Sequence, residues 1–169
     1  MLNDPRNINL GKKLILDKEI LINDNEAIEI NETEYHEILI DNTTPYSPFD
    51  ILENKSLLLE NNFDNLNAID WKKGCYVGQE ITARMKYRNL MKRKIFKIEI
   101  EFNWEIKKEI YSDNEVVGYI TSYNTDFGLA YFDLKNIDSY FNKKLVSGDS
   151  IITPTDVWWS KSKPVSYTH

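Results

Sequence analysis

The chain contains 169 residues, of which 41% are hydrophobic and 28% are charged, as in one globular domain or two small ones. Its apolar runs are far shorter than the ~18–20 residues of a membrane-spanning helix, so we expect no membrane association. The single cysteine, Cys75, excludes an intrachain disulfide, and the first six residues contain no apolar signal core. The expected location is therefore the cytoplasm.

Charge is unevenly distributed along this acidic chain, whose net charge is −6. Residues 70–97 hold 9 basic and 2 acidic residues, whereas residues 1–69 hold 5 basic and 14 acidic ones. An acidic total argues against a general nucleic-acid coat protein, because neutralised phosphates supply most non-specific affinity. The basic segment 84–97 is either a solvated surface or a local site for an anion such as RNA phosphate.

The first half of the chain predicts a mixture of strands, one helix and turns. Asn31 and Thr33 are candidate N-caps of a helix that continues to residue 40. Residues 61–67 are polar and predict turns. Strands are predicted at residues 12–16, 19–22, 26–30 and 57–59, the first two as a hairpin.

In the second half, polar and apolar residues alternate from residue 95 to residue 102, with Ile95 as the exception. This alternation is typical of a half-buried strand. Further strands are predicted at residues 109–112, 116–122, 128–134 and 149–153, with turns at residues 113–115 and 147–149. The pattern predicts a small antiparallel barrel or sandwich. Trp158 and Trp159 are interpreted as plugs of that barrel, and residues 160–164 as a loose tail.

The most specific pattern is the run Lys-Gly-Cys-Tyr-Val-Gly-Gln-Glu at residues 73–80, followed by Thr-Ala-Arg at residues 82–84. Gly74 and Gly78 flank Cys75 and allow its backbone to approach a ligand closely. The alternative is that Cys75 is a small buried apolar residue. A Cys–His catalytic pair is disfavoured, because neither histidine lies in a motif.

Charges around this run favour the thiolate form of Cys75. A helix is predicted from Gln79, and the positive end of its dipole lies close to the thiol. Lys73 and Arg84 add positive potential, or hold an anion themselves. Gln79 and Glu80 are expected to cap the helix and orient the loop.

This eight-residue run resembles the signature of the YgfZ family, folate-binding proteins that are similar in fold to the glycine-cleavage T-protein. Residues 4–6 (Asp-Pro-Arg), 118–122 (Gly-Tyr-Ile-Thr-Ser) and 128–130 (Gly-Leu-Ala) resemble further pieces of the family pattern. The resemblance implies an α+β fold, with a partial T-protein-like folate-binding domain at residues 1–90 and a C-terminal β-barrel domain at residues 91–169. The N-terminal part of the family fold has no counterpart, so the chain is expected to be a shortened form.

The resemblance also implies a function, namely a folate-dependent accessory role in the maturation or repair of iron–sulfur proteins that affects tRNA modification. Cys75 would be a redox or transient ligand thiol, and tetrahydrofolate the cofactor. Contacts to the cofactor are expected from Lys73, Gly74, Tyr76, Gly78, Gln79, Glu80 and Arg84. One cysteine and two histidines predict no closed metal site in the chain itself.

Two alternative functions stay open, an aminomethyltransferase-type folate enzyme and an RNA-binding module that uses residues 84–97. A non-enzymatic accessory protein is the favoured interpretation. Its expected partners are iron–sulfur client proteins, including tRNA-modifying enzymes. An incomplete first domain would leave apolar surface exposed, which predicts a homo-oligomer.

Overall fold

The computed structural model describes residues 2–14, 28–51, 53–141, 143–155 and 157. Its helices are a 3-10 turn at Ile8–Leu10, α1 at Glu32–Asp41, α2 at Gln79–Tyr87 and α3 at Ile137–Tyr140. Its strands are β1 Leu2–Asn3, β2 Lys12–Lys13, β3 Arg93–Glu101, β4 Glu109–Ser112, β5 Glu115–Tyr123, β6 Phe127–Asp133, β7 Leu145–Ser147 and β8 Ser150–Pro154. Within these ranges, no helix has both the length and the apolar character needed to cross a bilayer.

The six strands of the second half close into an antiparallel barrel, in the order β3-β6-β5-β4-β7-β8. This closure decides between the barrel and the sandwich that the sequence left open. Alternate residues of β3 point into the barrel. There Ile98 of β3 is fully buried together with Phe132 of β6 and Leu145 of β7. The sequence prediction missed β7 and α3, because three or four residues are too few to establish a period.

Ile95, the exception in the alternating pattern, lies on the outer face of β3. It is fully buried there and packs with Ile40 of α1 and with Leu129 and Tyr131 of β6. An apolar residue on the outer face of a barrel strand is explained when another element covers it. Helix α1 therefore packs against the outside of the barrel and forms a second core with it.

Helix α1 begins at its predicted cap. The side chain of Asn31 accepts a hydrogen bond from the backbone N–H of Glu34, and the Glu34 carboxylate accepts one from the N–H of Asn31. This reciprocal capping box satisfies two donors that would otherwise lack partners. The boundary predicted from the sequence is therefore confirmed for Asn31.

Other predictions in the first half fare differently. Residues 57–59 do not form a strand but lead into a series of turns, so that prediction is wrong. Strand β2 pairs with β1 rather than with a following strand, and most of the predicted hairpin lies outside the described residues. Residues 28–30, the described part of a further predicted strand, are not in a strand. Trp158, Trp159 and residues 160–164 also lie outside the described residues.

The turns at residues 57–62 are held by polar groups rather than by a strand ladder. The Ile95 N–H donates to the Glu60 carbonyl at 2.8 Å, and the buried Asn62 amide donates to the Ile95 carbonyl at 2.9 Å. The Tyr131 hydroxyl donates to Oδ1 of Asn61 at 2.7 Å. These bonds join the two halves of the chain across residue 90, so the division into two domains stays a prediction.

Candidate functional site

Cys75 lies in the loop that precedes α2, and its side chain is free and exposed. The interpretation of this residue as a buried apolar side chain is therefore wrong. Gly74 before it is also exposed, and Val77 after it is fully exposed to solvent. A reagent or a partner protein can therefore reach the sulfur atom without any opening of the fold.

The loop ends in a tight turn onto α2. Gly78 is the N-cap residue and adopts a left-handed conformation, with φ of 85°, which favours glycine. Gln79 closes the turn, because its Oε1 accepts a hydrogen bond from the Tyr76 N–H at 3.2 Å and its own N–H donates to the Tyr76 carbonyl at 3.1 Å. The backbone on the C-terminal side of the thiol is thereby fixed, although the thiol itself is exposed.

Cations lie around this loop, but they have different neighbours. The ammonium of Lys73 lies 4.5 Å from the centre of the Tyr76 ring, a cation–π contact within the loop. Arg84 instead pairs with Glu80 one turn away on α2, at 3.4 Å, and both side chains are largely exposed. The structure therefore groups Lys73, Tyr76 and Gln79 together and places Glu80 and Arg84 as a separate surface pair.

A small apolar core attaches helix α2 to the residues that precede the motif loop. Met85 is buried against Leu59 and Ile69, and Trp71 packs at the edge of this cluster. The ammonium of Lys86 lies 3.7 Å from the centre of the Trp71 ring, so the last turn of α2 covers that indole. These contacts hold α2, which follows the Cys75 loop, against residues 59–71.

An apolar cleft of about 180 Å³ lies between α2 and residues 56–59. Gly78, Ile81 and Met85 line its helical side, and Leu57 and Leu58 line the opposite side. The half-exposed side chain of Ile81 leaves the cleft open to solvent. Apolar surface therefore lies directly beside the loop that carries the thiol.

The basic segment 84–97 does not form one solvent-facing surface. Arg93 pairs with Glu60 at 2.9 Å, and Lys97 lies 3.7 Å from Asp41. Lys94 is buried, and this burial lowers the pKa of its ammonium. Much of the positive charge in this stretch is therefore either paired with an acidic side chain or buried. This arrangement weakens the interpretation of the segment as a continuous RNA-binding surface.

No group of three or more histidine, cysteine or acidic side chains among the described residues could hold a metal ion. The sequence indicated the motif loop but missed the polar residues that attach the turns at residues 57–62 to the barrel. Residues 61–67 were predicted only as turns, and the sequence did not indicate that Asn61 and Asn62 are buried.

Comparison with known proteins finds no matching family model. Individual relatives do match, and they include several proteins named iron–sulfur cluster assembly factor IBA57. The mitochondrial homolog of Mycosarcoma maydis is 37% identical over 93 residues, which are 54% of this chain and 23% of that protein. The mitochondrial proteins of Mus musculus and Saccharomyces cerevisiae are 27% and 31% identical, over 60% and 52% of this chain and 28% and 17% of their own length.

The chain thus spans between 17% and 28% of the length of these relatives. The relatives are named for iron–sulfur cluster assembly, and this name agrees with the role that the sequence resemblance implied. The expected cytoplasmic location is contradicted, because the relatives are named as mitochondrial proteins. The expectation rested on a lone thiol and on the first six residues, and neither observation distinguishes the cytoplasm from an organelle.

Proposed function

We propose that this chain acts in the maturation of iron–sulfur proteins in mitochondria. In this role, Cys75 binds the iron–sulfur cluster transiently before the cluster is transferred to a client protein. The similarity to iron–sulfur cluster assembly factors supports the process. The observation that carries the role of Cys75 is its position, exposed on a loop whose turn is fixed by Gly78 and Gln79.

The number of thiols determines how such a site works. Iron–sulfur clusters are commonly held by four cysteine thiolates. This sequence contains one cysteine, so it supplies one ligand and the remaining ligands come from other molecules. The cluster is therefore a substrate shared between two partners, and it leaves when the client offers a more complete set of ligands.

The surroundings of Cys75 suit this exchange. The ammonium of Lys73 and the N-terminus of α2 place positive potential at the loop that carries the thiol. The same potential favours the approach of an anionic thiolate-ligated cluster. The adjacent apolar cleft lined by Ile81 and Leu58 offers a surface for the protein that presents the cluster.

The experiment uses a glutathione-ligated [2Fe–2S] complex as the cluster source under anaerobic conditions. Cys75 displaces one glutathione, which leaves as the thiol with the proton of Cys75, so the iron oxidation states do not change. We expect iron and visible absorption to co-elute with the wild-type chain and not with Cys75→Ser. The matched control, Cys75→Ser with Thr125→Cys, carries its thiol on an exposed barrel loop and should also remain free of iron. Equal iron on all three proteins would refute the role of Cys75.

We further propose tetrahydrofolate as a cofactor and tRNA-modifying enzymes as one class of client. Support comes from the sequence resemblance and from the partly buried ring of Tyr76, which offers a stacking surface beside Lys73. Calorimetric titration of the whole chain with tetrahydrofolate tests this. We expect binding that Tyr76→Ala weakens and that Tyr111→Ala, on the barrel surface, leaves unchanged. Equal binding by both variants, or no binding, would refute a folate site at the loop.

A further inference from the structure

A second and larger cavity lies away from the motif residues. This groove of about 400 Å³ runs between Phe49, Lys55 and Ser56 on one side and the outer surface of the barrel on the other. No residue of the motif at positions 73–80 lines it. Its volume is within the range of small-molecule sites, which is roughly 300–1,000 Å³.

Aromatic rings form much of the groove. Tyr119 of β5 lies directly opposite Tyr131 of β6 in the strand register, so the two side chains are neighbours on the outer face of the barrel. Phe49 contributes a third ring from the opposite side and stacks on His36, with ring centres 4.6 Å apart. Phe49 and Tyr119 are each about half exposed, at 50% and 44%, so their surfaces are available to a ligand.

The segment that carries Phe49 is fixed on the barrel. The buried carboxylate of Asp50 accepts a hydrogen bond from the Thr121 hydroxyl, and Thr121 itself lines the groove. At the floor, the Tyr131 hydroxyl donates to Asn61, and burial raises the pKa of this hydroxyl. Tyr131 therefore stays neutral at physiological pH and adds no negative charge to the groove.

The charges of the groove leave one positive charge in excess. Lys55, Arg93 and Lys108 line it together with the single acidic residue Glu109. The Arg93 charge is compensated by Glu60, whose carboxylate accepts from Nε at 2.9 Å. Within the part of the chain that the structure describes, no hydrogen bond or ion pair engages the ammonium of Lys55 or Lys108. Two uncompensated cations against one carboxylate favour a ligand with one negative charge.

We propose that this groove binds a planar aromatic monoanion, whose ring lies between Phe49 and Tyr119 and whose charge meets Lys55 and Lys108. Stacking on aromatic faces suits a flat ring, and the lysines act as point charges that accept either a carboxylate or a sulfonate. The site is separate from Cys75 and does not depend on the proposed iron–sulfur role.

The test is a chemical-shift titration of the ¹⁵N-labelled whole chain with 2-naphthoate and with 2-naphthalenesulfonate. The neutral, nearly isosteric 2-naphthamide serves as the control ligand. We expect saturable shifts at Tyr119 and Thr121 with at least one anion, and several-fold weaker binding of the amide. The preferred anion then distinguishes carboxylate from sulfonate ligands.

Variants separate the ring from the charge. Tyr119→Ala should weaken binding about tenfold, because it removes one stacking surface. Lys108→Met keeps the aliphatic stem and should weaken binding about threefold, as expected for a solvent-exposed ion pair. Lys107→Met is the matched control, because Lys107 is the neighbouring lysine and pairs with Glu105 outside the groove. Absence of saturable shifts up to low-millimolar ligand, equal affinity for the amide, or equal effects of Lys107→Met and Lys108→Met would overturn the proposal.

Discussion

The Ser122 hydroxyl of β5 donates a hydrogen bond to Oδ1 of Asp50, and both side chains are buried although 72 positions separate them. Asp50 has no exposed surface, and it also accepts from the Thr121 hydroxyl and, through Oδ2, from the Tyr46 N–H at 2.9 Å. A buried carboxylate is tolerated only when hydrogen bonds replace its lost hydration. This single side chain therefore attaches the segment after α1 to the barrel.

Replacement of Asp50 by asparagine should destabilise the protein. Asp50→Asn keeps the shape but presents an NH₂ group and removes the charge that both hydroxyls stabilise. We expect the free energy of unfolding to fall by about 2–4 kcal/mol, measured by urea denaturation. Asp126→Asn, at an exposed position, is the control and should change it by less than about 0.5 kcal/mol. Similar losses for the two variants would show that the buried carboxylate does not stabilise the fold.

The same contact shows how far the sequence alone could lead. The run at residues 118–122 was recognisable as part of a family pattern, but nothing in the chain indicated that Thr121 and Ser122 bind Asp50. Local patterns predict elements such as α1, because Asn31 caps the helix with groups only three residues away. Contacts across the chain depend on the packing of whole elements, and a single sequence carries no direct signal for them.

Ile95 and the segment 57–59 are two further examples of what a sequence pattern can and cannot predict. Ile95 broke the alternation of its strand, and this departure was a genuine sign that another element covers the barrel. The apolar run at 57–59 had the composition of a strand, yet it forms turns because Glu60 and the Asn62 side chain pair with the backbone of Ile95 instead. Composition therefore determined neither the backbone conformation nor the burial of this segment, in which Leu59 is buried and Leu57 and Leu58 are exposed.

Two glycines should respond differently to alanine. A Cβ at Gly118 would lie 2.7 Å from the Tyr131 carbonyl oxygen, an atom of a barrel strand that cannot move easily. A Cβ at Gly78 would meet nothing within 4 Å, but the φ of 85° is strained for alanine. We expect losses in unfolding free energy of about 3 kcal/mol for Gly118→Ala and about 1 kcal/mol for Gly78→Ala. Thermal and urea unfolding measure both, and the reverse order would contradict the close packing of β5 on β6.

Acid should weaken the N-terminal turn through Asp4. Arg6 donates from Nε and Nη2 to the two Asp4 oxygens, at 3.0 and 2.7 Å, and these hydrogen bonds lower the pKa of the Asp4 carboxyl below its usual 3.8. Because the folded-state pKa is the lower one, the stabilisation is complete above pH 3.8 and is lost as the pH falls through the folded value.

The corresponding measurement is the free energy of unfolding between neutral pH and about pH 2, compared with Asp4→Asn. The variant should be less stable near neutral pH, and the difference should shrink as the wild-type carboxyl becomes protonated. Asp149→Asn, at an exposed carboxylate without an ion pair in the described part of the chain, should follow the wild-type curve. A difference between wild type and Asp4→Asn that grows on acidification would contradict the assigned sign.

The thiol of Cys75 should react in the folded protein without prior unfolding. Its exposure predicts alkylation by neutral iodoacetamide at a rate that added stabilising osmolyte does not reduce. Negatively charged iodoacetate should react faster relative to iodoacetamide than it does with a free peptide thiol, because Lys73 and the N-terminus of α2 attract it. Salt should reduce that advantage, since the Debye length shrinks to about 8 Å at physiological ionic strength.

A pair of lysine variants identifies the source of this advantage. Lys73→Met should lower the iodoacetate-to-iodoacetamide rate ratio by about twofold, in line with an exposed charge near the reacting atom. Lys107→Met removes an equal charge on the barrel, and its ratio should match the wild type. If both variants lower the ratio equally, the effect belongs to the net charge of the protein. The positive potential that we assign to the Cys75 loop would then be absent.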